Sequence, residues 1–161
     1  MNSADVVGRA LAAGLTVATA ESLTAGQVAA SLADVPGASG MLKGGVIAYS
    51  NDIKVQALGV EPALLAEAGS VDAAVARQMA EGARILMHAD LAVSTTGVAG
   101  PEPHDGKSVG TVFVAVASAS GTRVAEFLFD GDRGQIREQS CSAALELLMG
   151  GLSMGTKDPP G

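Results

Sequence analysis

The chain has 161 residues and a mass of 15.9 kDa, with 48% apolar, 17% charged and 2% aromatic residues, which is one domain's worth of sequence with a sizeable core. Ten Lys and Arg against 17 Asp and Glu give a net charge of −7; without basic runs, no nucleic-acid partner is expected. One cysteine, Cys141, excludes an internal disulfide, and His88 and His104 are too few for a His-rich centre, so neither metal nor cofactor is expected.

Asp5 and Arg9 lie inside the first apolar pattern, which does not fit a signal peptide, and no apolar run approaches the ~20 residues of a membrane helix. The expectation is a cytoplasmic protein with a small-molecule substrate and no membrane partner. Residues 5–14 have Val6, Val7, Ala10 and Leu11 at helical spacing, with Gly14 as the stop. Leu15–Ala20 reads as a buried strand, followed by a helix from Ala25 to about Ala33 and a break at Pro36-Gly37. A strand over Gly45–Tyr49 precedes a helix over about 52–58, with Asn51 as cap and Gly59 as stop.

Glu61–Ala68 reads as a short helix with Pro62 in its first turn, and Asp72 caps a longer one to about His88. Leu91–Thr96 is a strand, and a Gly/Pro loop fills 97–108. Val109–Ala119 and Thr122–Asp130 form a hairpin. A last helix covers Gln135–Met149, and 150–161 are read as a disordered tail. Residues 1–149 therefore read as a single α/β domain, a three-layer α/β/α sandwich with a mixed, mostly parallel sheet.

Ligands in such sheets sit beyond the carboxyl ends of strands, which selects Glu21–Thr24, Tyr49–Lys54 and Thr95–Pro101. Ser22 lies on a strand-to-helix turn. If Thr24 and Gln27 form a capping box, Ser22 is free to act as a nucleophile beside the amides of the helix start; otherwise it is a cap or a small loop residue. A serine nucleophile needs a base. His88 ends a helix and His104 falls in a loop that reads as mobile, so neither is placed for a Ser–His–Asp triad. Lys54, in a helix's first turn, is the other candidate if burial or local potential lowers its pKa, with Tyr49 to relay or orient the proton. Equally, Lys54 is an ordinary surface lysine and Tyr49 a core residue. Gly97 and Gly100 would let backbone amides approach a ligand, with the Thr96 hydroxyl as a further donor, or they make a simple turn. Arg133 and Arg137 begin the last helix, where either one meets an anionic group or both are surface residues.

Other motifs fail on context. Gly100…Gly106-Lys107-Ser108 has five intervening residues instead of the four of a phosphate-binding loop, and precedes a strand. The Gly-x-Ser-x-Gly match at 151–155 has neither the strand before it nor the helix after it that a nucleophile elbow needs.

The segments Thr19–Gly26, Gly45–Lys54, Thr96–Pro101, Val109–Val112 and Gly131–Arg133 with Arg137 together resemble the C-terminal domain of the CinA competence/damage-inducible proteins, a family of nicotinamide-mononucleotide amidohydrolases. The resemblance spans about residues 5–149 in the family's order and spacing. It implies metal-independent hydrolysis of the carboxamide of nicotinamide mononucleotide to the acid and ammonia. Ser22 falls on the nucleophile, Lys54 on the general base and Tyr49 on its hydrogen-bonding partner. Thr96 and Arg137 fall on substrate-associated positions, Gly45 on a glycine near the site, and Thr24 and Gly97 beside the substrate. The resemblance also suggests homo-oligomers, and an N-terminal pyrophosphatase domain in longer relatives that this chain does not contain. Two alternatives stand beside it: a non-catalytic nucleotide-binding or regulatory module, and an amidase for another carboxamide. The family usually writes Ala-Glu-Ser-Cys-Thr-Gly-Gly, and here Leu23 replaces the cysteine and Ala25 the first glycine.

Overall fold

Five strands form the middle layer. Val17–Glu21 (β1) is built of valine, alanine, threonine and one glutamate, and all five residues are buried. It pairs in parallel with Leu42–Ile47 (β2) on one side and Leu91–Gly97 (β3) on the other. Thr111–Ser118 (β4) and Gly121–Leu128 (β5) extend the sheet antiparallel, giving the order β2-β1-β3-β4-β5. The computed structural model describes residues 2–154.

The period-two alternation of β4 explains the three layers. Val112, Val114 and Val116 face one core, shared with helices Ser3–Ala13 (α1), Gln27–Ala33 (α2) and Arg133–Met154 (α6). Phe113, Ala115 and Ala117 face the other side, where Ala76 and Ala80 of Ala73–Leu86 (α5) pack. Helices Asn51–Leu58 (α3) and Pro62–Ala68 (α4) complete that second layer through Leu58 and Leu65. The α/β sandwich with a mixed sheet is therefore as the sequence implied. The sheet is mixed and mostly parallel as expected: β1, β2, β3 and β5 run in one direction, and β4, antiparallel to both its neighbours, is the one reversed strand.

Three local expectations are corrected. α2 begins at Gly26, which has φ 97° and no side-chain cap, so the Thr24–Gln27 capping box does not form. The chain instead makes an extra turn closed by the Gln27 amide donating to the Thr24 carbonyl, with Ala25 also left-handed at φ 47°. α3 is capped by Ser50, not Asn51, through the Ile53 amide. The last helix runs on to Met154, so residues 150–154 do not belong to a tail. Leu148 and Leu152, one helical turn apart, are both fully buried and hold this end of the helix on the sheet. Gly151 permits that approach, since a Cβ there would lie 2.9 Å from Leu91 and 3.0 Å from Val116. Residues 155–161 of the expected tail lie outside the described residues, as does the last glycine of the Gly-x-Ser-x-Gly match.

Ala25 holds a left-handed backbone that costs an L-residue about 1–2 kcal/mol, partly offset by the greater chain entropy that glycine would lose on folding. Ala25→Gly is expected to stabilise the protein by about 0.5–1 kcal/mol, read as a rise of about 2 °C in Tm. An unchanged or lower Tm would show that the alanine relieves its strain through packing.

Candidate active site

The three parallel strands end side by side, and the turns beyond β1 and β3 meet in a cleft of about 350 Å³. Ser22 directly follows β1. Its amide donates to the Thr95 carbonyl of β3, and its own carbonyl accepts from the Ala25 amide, which fixes the turn on both sides. Ser22 and Leu23 line the cleft, together with Tyr49, Ser70, Thr96, Gly97 and the 98–104 loop.

Lys54 is the largest fully buried side chain, with 1% of its surface exposed. It lies on the inward face of α3, in the turn after the Ser50 cap, and its Nζ sits 3.0 Å from Ser22 Oγ. The same nitrogen donates to the Ala48 carbonyl at 2.8 Å and, more weakly, to the Tyr49 carbonyl at 3.5 Å. Among the described residues it has no carboxylate partner. Burial therefore acts unopposed on the ammonium and lowers its pKa from 10.5 to about 8. A neutral amine here keeps two N–H groups for the two carbonyls and turns its lone pair to the Ser22 hydroxyl. The reading of Lys54 as a surface lysine is overturned.

Tyr49 is placed differently from its expected role. Its side chain is 58% exposed, and its hydroxyl accepts a hydrogen bond from the Arg133 guanidinium at 2.9 Å. Only its backbone carbonyl faces Lys54. A second Arg133 nitrogen donates to the Gly100 carbonyl, so this arginine joins the loop after β2 to the loop after β3 at the cleft. Arg137 supports the turn that carries Ser22. Its Nε donates to the Leu23 carbonyl at 2.9 Å and one terminal nitrogen to the Thr24 carbonyl at 3.4 Å.

Thr24 is fully buried and points beneath the turn. Its hydroxyl donates to Glu21 at 2.7 Å and shares a 2.7 Å hydrogen bond with Thr95. Glu21 in turn accepts from the amides of Val28 and Ala29. The α2 amides expected to face a ligand are therefore already taken by a carboxylate from β1. The amides of Leu23 and Thr24, next after Ser22, form no hydrogen bond among the described residues. Gly45 lies away from the cleft, opposite Thr19, and a Cβ there would fall on the Thr19 hydroxyl at 2.1 Å. That glycine serves strand packing. Thr96 and Gly97 line the cleft, and the Thr96 hydroxyl donates to the Ser70 carbonyl.

Sequence reasoning placed a loop over 97–108 but missed the ordered turn within it. The isolated bridge between His104 and Lys107 closes a tight turn over Asp105 and Gly106, at φ 51° and 73°. Positive φ at both central residues is what a type I′ turn requires, and Asp-Gly is a preferred pair for it. Asp105 Oδ2 accepts from the Ser70 amide at 3.0 Å and the Ser70 hydroxyl at 3.1 Å, and meets His104 Nε2 at 3.2 Å. The Ser70 amide is the chief cause of an Asp105 pKa held below the usual carboxylate range. A serine, a histidine and an aspartate thus adjoin, but with the carboxylate in the middle and no imidazole on the hydroxyl. That order gives Ser70 no base.

The fold and site define a class: a three-layer α/β protein with a buried serine–lysine pair at the ends of its parallel strands. Residues 2–152 match the CinA C-terminal domain, and the chain belongs to that family. It is 47% identical to a CinA-like protein of Mycobacterium marinum over 151 residues, 92% of this chain and 35% of that one. A CinA-like protein of Geobacter sp. is 46% identical over 152 residues, 92% of this chain and 36% of the relative. The chain therefore spans about a third of the length of the curated relatives it matches. The crystal structure of a CinA superfamily protein from Klebsiella pneumoniae superposes with a TM-score of 0.91 at 30% identity, covering 95% of this chain and 96% of that one. The competence/damage inducible protein CihA of Agrobacterium tumefaciens gives 0.86 at 35% identity, covering 94% and 95%.

The lowered pKa of Lys54 makes stability depend on pH with a definite sign. Between about pH 8 and 10.5 the unfolded chain holds a proton that the folded chain has released, so folding is favoured as pH rises through that window. Below pH 8 the folded state carries the cost of a buried ammonium, on the order of 3 kcal/mol. Lys54→Met removes that group, so the stability of wild type relative to the variant is expected to rise by about 3 kcal/mol across the window. Denaturant midpoints at pH 7, 9 and 10.5 measure it, and parallel pH curves would contradict a titrating Lys54.

Proposed function

We propose that this chain is a serine–lysine amidohydrolase that converts nicotinamide mononucleotide to nicotinate mononucleotide and ammonia. The observation that carries the reading is the 3.0 Å contact between Ser22 Oγ and a buried, carboxylate-free Lys54. Neutral Lys54 takes the Ser22 proton as Oγ attacks the amide carbon. The carbonyl oxygen becomes an oxyanion beside the Leu23 amide at the cleft, where one such donor is typically worth ~3 kcal/mol. The protonated lysine then gives its proton to the departing nitrogen, and ammonia leaves. Water hydrolyses the acyl-enzyme with the same amine as base, which regenerates the serine.

The substrate reading rests on the family resemblance and on the cleft. Its volume is at the lower end for small-molecule sites, and Arg133 supplies a cation at its wall for the substrate's phosphate. Arg133 is preferred here to Arg137, because it lines the cleft while Arg137 donates to the Leu23 and Thr24 carbonyls. Tyr49 acts at one remove, through its carbonyl on Lys54 and its hydroxyl on Arg133. No metal or organic cofactor enters this scheme. The homo-oligomer suggested by the resemblance stays part of the proposal, as does a cytoplasmic location; no helix among the described residues is long and apolar enough to cross a membrane.

Purified protein is expected to release ammonia from nicotinamide mononucleotide, and Ser22→Ala to lower that rate at least about 10³-fold. The rate of the wild-type chemical step should climb with pH and level off above about pH 8, as Lys54 loses its proton. Full activity in Ser22→Ala would end the proposal. Binding of the mononucleotide without any ammonia would favour a regulatory module, and faster release from free nicotinamide or glutamine would favour another carboxamide.

A further inference from the structure

The wall of the cleft opposite Ser22 is made by a loop that the sequence presents as irregular but the structure braces at four points. The Val98 amide donates to the Thr111 carbonyl, and the Gly110 amide to the Val98 carbonyl, which ties the two ends of the loop together. The Asp105-Gly106 turn closes the tip. Asp105 Oδ2 then accepts both the amide and the hydroxyl of Ser70, from the segment between α4 and α5. Ser70 is itself held from the strand side by the Thr96 hydroxyl, which donates to its carbonyl. Ser70, Thr96, Pro103 and His104 all line the cleft. Gly69, at φ 76°, lets Asp105 come this close, since a Cβ there would lie 2.9 Å from both the Asp105 Cβ and Oδ2.

We infer that Asp105 is a positioning residue that sets substrate affinity: by gripping Ser70 with one carboxylate oxygen it holds the 101–108 loop as a fixed wall of the cleft. Asp105 reaches the substrate only through Ser70 and His104, and it touches neither Ser22 nor Lys54. A fixed wall spares the substrate the ordering of a loop, so the gain falls on binding while the serine–lysine chemistry proceeds unaltered. The inference rests on the proposed deamidation only for its substrate. The hydrogen bonds that carry it are independent of that chemistry.

The experiment compares wild type, Asp105→Ala, Asp105→Asn and Gly69→Ala in ammonia release from nicotinamide mononucleotide, with calorimetric binding of the same nucleotide to each. Asp105→Ala should raise KM about tenfold and leave kcat within about twofold. Gly69→Ala, which crowds Asp105 off Ser70, should move KM in the same direction. Asp105→Asn keeps an oxygen acceptor for Ser70 and removes the carboxylate charge beside His104, so it should stay within about threefold of the wild-type KM. An unchanged KM in Asp105→Ala, or a loss confined to kcat, overturns the inference and leaves the deamidase reading standing. An Asp105→Asn variant as impaired as Asp105→Ala also overturns it, because the negative charge of Asp105 and not the grip on Ser70 would then set affinity. If wild type binds the nucleotide without releasing ammonia, the deamidase reading falls, while weaker binding in Asp105→Ala still supports the inference. Absence of binding to every form ends both.

Discussion

A lysine amine buried without a counter-ion is the constraint around which the site is arranged. An ammonium group in that position pays a desolvation penalty that a carboxylate would ordinarily relieve, and none pairs with it among the described residues. What surrounds Nζ instead is two carbonyl oxygens and one hydroxyl. Those partners hold an amine in place without restoring its charge. The same feature that strains the folded state is therefore what brings the amine's proton affinity near neutral pH, and the two cannot be separated by mutation.

Burial of Lys54 depends in turn on how the first parallel strands end. β1 stops at Glu21, whose carboxylate does not reach the lysine but turns back to the amides of Val28 and Ala29 at the start of α2. This turns the acid next to Ser22 away from the amine. It also moves the unsatisfied backbone donors from the helix start to the turn itself, next to Ser22. Thr24 and Thr95 hydroxyls bridge from Glu21 to β3, and Arg137 holds the Leu23 and Thr24 carbonyls from above. The Ser22 turn is thus fixed by side chains from three elements, β1, β3 and α6, which suits a group that must meet its base at hydrogen-bonding distance.

The cleft divides its work between its two sides. The β1 and β2 ends hold the reactive pair, while the loop after β3 shapes the space in front of it. Arg133 links the two sides through Tyr49 and Gly100, and Asp105 anchors the far wall to Ser70. Neither residue contacts the serine–lysine pair, so the shape of the cleft and the reactivity of the pair are set by different parts of the chain.

The order of the elements was legible in the sequence, since helical and strand periodicities, the Gly14 and Gly59 stops and the Asp72 cap are local signals that the fold retains. The strand ends where Ser22 and Lys54 meet were also legible, because ligands in such sheets gather there, and the two residues stand at two of them. The direction of a side chain was not legible. Tyr49, Thr24 and Arg137 carry suitable groups at suitable positions, yet each turns to a partner from a distant segment: Arg133, Thr95 and the carbonyl of Leu23 respectively. Gly45 reads as an approach for ligand but answers to Thr19 on the neighbouring strand. The end of α6 was hidden for the same reason, as its glycines signal a stop and only the sheet beneath Gly151 and Leu152 overrides them. Local pattern fixes which segments form; long-range packing alone decides which polar groups those segments spend on one another and which remain for a substrate.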